Sequence, residues 1–201
     1  MKKLLLLFLT SFTFISSANA DSIDGAFGYK LGQVVNDVII TSYGDDFIAE
    51  KKFKPNKPLL GLNNYQVKTT LQDKVVYEIS AYVSEKATNS DKCSSDSGDY
   101  TKILKALKNK YTDKLHLSLA DTIYRCTNSF CRSTRENFFG NLNQGYVNFD
   151  CSWFINKEDP EASYYRMFLT YTDGELKEKY DWENQFLIDK KIQAELQDVD
   201  F

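Results

Sequence analysis

The chain has 201 residues, is 14% aromatic and 26% charged, and carries a formal net charge of −3. That balance excludes nucleic acid and anionic membrane as main partners, because both select strongly basic surfaces. The length suits one domain with a substantial core.

Residues 1–20 read as a cleavable secretory signal. Lys2 and Lys3 form a basic start, Leu4 to Leu9 an apolar run continued by Phe12, Phe14 and Ile15, and Ala18-Asn19-Ala20 a small-x-small cleavage pattern. The exported chain is then 21–201, in the bacterial periplasm or released from the cell. Losing Lys2 and Lys3 takes the charge from −3 to −5. No later stretch approaches about 18 apolar residues in a row, so no membrane span is expected in the mature chain.

Gly25, Gly28 and Gly32 follow the spacing G-x-x-G-x-x-x-G, which is not a phosphate-binding loop and fits a twisted N-terminal strand with turns. Val38 to Thr41 is a short strand candidate. Lys51, Lys52, Lys54 and Lys57, interrupted by Pro55 and Pro58, read as a solvated loop. Tyr65 to Val83 is the clearest unit. Tyr65, Val67, Thr69 and Leu71, then Val75, Tyr77, Ile79, Ala81 and Val83, alternate with other residues around a turn at Gln72-Asp73-Lys74, as in a hairpin with one buried face.

Lys86 to Asp99 is a polar loop, with Ser97 or Asp99 placed to cap a helix. Its oxygen-rich stretch Ser94–Asp99 lacks the ligand register of a calcium loop. Ile103, Leu104, Leu107 and Tyr111 then mark an amphipathic helix expected to cover the hairpin. Leu115 to Leu119 and Ile123 to Cys126 are short strands, and Thr127 to Glu136 an arginine-bearing turn region. Tyr146 to Phe154 and Tyr164 to Thr172 are strands, and a helix begins at Glu175, with Asp173–Lys177 and Glu175–Lys179 as i,i+4 pairs. The expected fold is a single α+β domain: an antiparallel sheet of about five to seven strands, with two helices on one face, stapled by disulfides.

The four cysteines are Cys93, Cys126, Cys131 and Cys151. An even count in an oxidising compartment implies two bridges. Of the three pairings open to them, Cys126–Cys131 with Cys93–Cys151 is favoured. A Cys-x-x-Cys redox pair is absent, and zinc has too few ligands because His116 is the only histidine.

Ser-His-Asp and Cys-His nucleophile sites would both have to use His116, and on an alternating strand His116 reads as an exposed bystander and not as a catalytic base. The acidic pairs Asp45-Asp46 and Glu158-Asp159 are neighbours in loops, which does not define a cleft. No catalytic residue, cofactor or metal is expected. The sequence points to an exported, non-catalytic protein-binding or accessory protein of inhibitor or immunity type, whose partner is another exported protein. Arg125, Phe130, Arg132 and Arg135, on and beside the Cys126–Cys131 loop, are the expected contact residues, since interfaces favour arginine and aromatics. The alternative is a carboxylate-dependent hydrolase of cell-wall or extracellular polymer.

Overall fold

The computed structural model describes residues 23–87, 93, 98–111, 116–117, 123–127, 129–141 and 144–197, with the backbone alone at 116–117, 123–125 and 196–197. The signal-peptide segment, residues 88–92 and 94–97 of the polar loop, and the side chain of His116 fall outside this description.

The chain forms β1 (Gly25–Ala26), β2 (Tyr29–Lys30), β3 (Ile39–Tyr43), β4 (Asp46–Phe53), β5 (Asn64–Thr69), β6 (Val76–Lys86), α1 (Gly98–Lys110), β7 (His116–Leu117), β8 (Ile123–Cys126), β9 (Phe130–Asn141), β10 (Gly145–Asn156), a 3₁₀ turn at Pro160–Ala162, β11 (Tyr164–Asp173) and α2 (Gly174–Gln197). β1 and β2 make a small hairpin of their own. The main antiparallel sheet runs β3-β4-β5-β6-β11-β10-β9-β7, with β8 also on β9. Both β7 and β8 are short segments sharing one edge of β9. Among the described residues, seven long strands therefore carry the sheet, beside two helices and two disulfides, in a single α+β domain.

Alternation sends one face of these strands into the main core. Val67, Ile79, Ala81, Val147, Phe149, Met167 and Leu169 are buried there. α1 covers this face through Tyr100, Ile103 and Leu107. Tyr100 stacks on Phe149 at 5.2 Å, and its hydroxyl accepts a hydrogen bond from Asn137 at 3.0 Å. α1 therefore packs over β9 and β10, and its buried residues share one core cluster with Val67, Ile79 and Ala81 of the β5–β6 hairpin. The N-terminal segment also packs on the hairpin, with Phe27 edge-on against Tyr65 at 5.1 Å and Tyr171 at 6.0 Å. Phe27 takes a φ of +56° in the two-residue β1–β2 turn, a conformation that aims its ring inward.

The hairpin departs from simple alternation. Lys68 pairs with Glu78 but Thr69 pairs with Val76, which leaves Tyr77 as the extra residue of a β-bulge. Val76 enters the main core, whereas Tyr77 joins a second cluster with Ala49, Leu71 and Tyr180. Tyr77 stacks on Tyr180 of α2 at 4.7 Å. The two helices thus serve different clusters, instead of sharing one.

Asp173 ends β11 and caps α2, accepting from Leu176 N at 3.0 Å. Lys177 pairs with Asp181 and Lys179 with Asp73, so neither makes the expected i,i+4 contact within the first turn. Glu183 is buried and accepts hydrogen bonds from Leu71 N at 2.5 Å and Gln72 N at 3.2 Å, pinning α2 to the β5–β6 turn. Asn184 accepts from Phe47 N at 2.8 Å and donates to Asp46 at 2.9 Å, pinning it to β4.

Two stretches read as loops are strands. Lys51 and Lys52 belong to β4, paired with Val67 and Gln66. Most of Thr127–Glu136 belongs to β9. Neither shows the apolar alternation that marks a strand: main-chain pairing holds them, Lys51 and Lys52 with β5 alone and the start of β9 with both β8 and β10.

Candidate functional site

The disulfide hairpin comes first, because sequence pointed to it. Cys126 is bonded to Cys131, and Cys93 to Cys151. Cys126 and Cys131 are register partners across β8 and β9, as are Arg125 and Arg132. Thr127 N donates to Phe130 O at 2.7 Å, closing the turn. The turn is tied down: Lys157 N donates to Ser129 O at 3.0 Å and Ser129 Oγ to Glu158 at 2.5 Å.

Phe130 is exposed at this tip. The arginines do not gather around it. Arg135 pairs with Cys151 and so shares the core-side face of β9. Arg132, three residues away, is on the opposite face, as alternation requires. Only the backbone of Arg125 is described, opposite Arg132.

Arg132 leads to a feature that sequence reading missed. Its guanidinium donates to Thr134 Oγ1 at 2.9 Å and Ser152 Oγ at 3.4 Å, and stacks over Phe154 at 5.3 Å. Thr134 and Ser152 bond each other at 2.9 Å. These residues begin a polar floor covering the side of the sheet away from α1.

Strand register arranges this floor in rows across β6, β11, β10 and β9. Glu78, Thr172 and Tyr146 form one row. Ser80, Thr170, Asn148 and Phe138 form the next, then Tyr82, Phe168, Asp150 and Glu136. Ser84, Arg166, Ser152 and Thr134 follow, and Lys86, Tyr164, Phe154 and Arg132 close the series. Rings stack within the rows, Tyr82 on Phe168 at 5.6 Å and Phe154 on Tyr164 at 4.5 Å. Aromatic pairs thus flank the polar row of Ser84, Arg166, Ser152 and Thr134, and Tyr146 and Phe138 put one ring in each of the first two rows. At two residues per row, the floor is roughly 26 Å long, and four strands make it roughly 14 Å wide.

Asp150 is near its centre, 7% exposed. Burial pushes its carboxyl up to about 6; Arg166 opposes the rise, the Glu136 carboxylate across the register adds to it, and Arg132 opposes it. Ser80 and Thr172 are 0% and 1% exposed, yet their hydroxyl oxygens have no hydrogen-bond partner among the described residues. The same holds for Asn148 Oδ1 and Arg166 Nε. Buried polar atoms are normally paired, so four unpaired ones on a single sheet face are uncommon. The readable signal was the polar phase of the later strands, Asn148, Asp150 and Ser152 at alternate positions.

A third feature is the sheet edge. β3 is exposed along its whole length, with Ile39 68%, Ile40 51% and Tyr43 83% exposed. Its sequence Ile-Ile-Thr-Ser-Tyr carries no charge and no proline. The β3–β4 turn is Gly44-Asp45, with a positive φ at Gly44 alone, the pattern of a type II′ hairpin.

Among the described residues no group of three or more His, Cys, Asp and Glu side chains has metal-site geometry, and no helix is long and apolar enough to cross a membrane. No protein-family model matches the chain, and no curated protein matches it in sequence.

Proposed function

We propose that this chain is an exported, non-catalytic binding protein of inhibitor, immunity or envelope-accessory type, and that it engages its partner protein along β3. The observation that carries this reading is the unprotected edge. Edge strands are normally blunted by charge, proline or bulges, because free N–H and C=O groups recruit another strand. β3 has none of these, and its apolar side chains are exposed on both faces. An extended segment of the partner would add here as a further strand, with main-chain bonds giving affinity and Ile39, Ile40 and Tyr43 contributing specificity. Export rests on the signal pattern of residues 1–20, and two disulfides suit an oxidising compartment.

The test is a cross-linked pull-down of the tagged protein from envelope and culture-medium fractions, read by mass spectrometry. One stoichiometric partner, cross-linked near β3 and lost in an Ile39→Lys, Ile40→Lys double variant of unchanged melting temperature, is the expected result. A partner retained by that variant removes β3 from the reading, and no partner in either fraction removes the reading itself.

One observation favours the hydrolase alternative. Asp150 and Glu136 are register partners, and the raised Asp150 carboxyl suits a proton donor beside a second carboxyl group. That reading expects turnover of a glycan or peptide polymer, lost in both Asp150→Asn and Glu136→Gln. The absence of turnover across a broad polymer panel would eliminate it.

A further inference from the structure

We infer that the polar sheet face is a binding site for a neutral, polyhydroxylated ligand of the oligosaccharide class. This inference is independent of β3, and it concerns equilibrium binding, whether or not turnover follows.

Three properties of the face select that chemistry. The first is unspent hydrogen-bonding capacity of both kinds. Arg166 Nε–H is a donor, Asn148 Oδ1 an acceptor, and the Ser80 and Thr172 hydroxyls are both; none has a partner among the described residues. Two of these side chains are essentially fully buried, so the cost of leaving them unpaired falls on the folded protein unless a ligand relieves it. Sugar hydroxyls likewise donate and accept, whereas an anion only accepts and a cationic ligand only donates.

The second property is charge balance. Lys68, Arg132 and Arg166 stand against Glu78, Glu136 and Asp150, with Lys68 and Glu78 already paired at 2.9 Å. The exposed Lys86 is at the rim. A phosphate site would show a clear excess of positive charge, and this floor shows none.

The third property is the presence of stacked ring pairs beside polar rows. A sugar unit presents an apolar C–H face and a hydroxyl rim, which matches half-buried rings such as Tyr82 and Phe168 beside the row of Ser80 and Asn148. The length of the floor fits several linked units, and binding sites of this kind combine aromatic walls with a few convergent polar groups.

Isothermal titration calorimetry of the purified protein with cellotetraose, chitotetraose and maltotetraose tests this, with inorganic phosphate and tetra-alanine as the competing chemistries. The expected result is binding of at least one tetrasaccharide and of neither competitor. Thr172→Val should weaken that binding about fivefold, and Arg166→Gln about tenfold or more, by the usual difference between neutral and charged hydrogen bonds. Thr172→Val keeps the side-chain shape and removes only an unpartnered hydroxyl, so its melting temperature should equal or exceed that of the parent. Three outcomes overturn the inference: no tetrasaccharide binds, phosphate or tetra-alanine binds in their place, or tetrasaccharide binding is indifferent to Thr172→Val.

Discussion

Replacing Asp150 by asparagine probes the polar floor through its effect on stability. Burial raises the Asp150 carboxyl from the ordinary 3.8 to about 6. A carboxyl that holds its proton more tightly in the folded state than in the unfolded state favours folding at low pH. Its contribution is fully present below 3.8 and is lost as pH rises through about 6. At 1.36 kcal/mol per pKa unit, ionising Asp150 in its buried position costs roughly 3 kcal/mol of stability. Asparagine has the same outline and no charge to desolvate. The variant should therefore match the parent to within about 1 kcal/mol near pH 4, and exceed it by roughly 2–3 kcal/mol near pH 8. Urea denaturation of both proteins at several pH values measures this, because other carboxylates cancel in the difference. A difference that does not vary with pH would refute the reasoning. So would an asparagine variant that is less stable at high pH, since Arg166 and Arg132 would then be holding the carboxylate more strongly than burial opposes it.

Two further outcomes are expected from the fold. Breaking Cys93–Cys151, which spans 58 residues, should cost about 4 kcal/mol, whereas breaking Cys126–Cys131, which spans 5, should cost about 2 on the loop-entropy account; paired Cys→Ala variants compared by urea midpoint decide the order, and a reversed order would contradict it. Glu183→Ala strands the N–H groups of Leu71 and Gln72 and should cost about 3 kcal/mol, with Glu183→Gln less damaging because one acceptor remains; a loss below about 1 kcal/mol in a denaturation curve would show that α2 is held to the β5–β6 turn by other contacts.

Much of the architecture was legible along the chain. The runs Tyr65–Val83, Tyr146–Phe154 and Tyr164–Thr172 alternate clearly because one face of each meets an apolar core. The helix at Gly98–Lys110 shows its buried stripe for the same reason. β4 and β9 stayed hidden because their side chains do not advertise burial: Lys51 and Lys52 are outlying positions of a paired strand, and Arg132, Thr134 and Glu136 face the polar floor. Tyr77 is buried as its place in the run implies, but a bulge adds one residue there and turns it to Tyr180 of α2, which no local pattern reveals.

By itself, the sequence determined what depends on composition and neighbours a few residues apart: the α+β class, one amphipathic helix and a second helix at the C-terminal end, and an even set of cysteines. Only the tertiary structure decided which residues meet. It split Arg132 from Arg135 across a strand, carried α2 to Leu71, Phe47 and Tyr77, and set Asp150 beside Glu136 and Arg166. The physical reason is register. A residue's neighbours on a sheet face come from strands tens of residues away, and pairing geometry, not local sequence, chooses them.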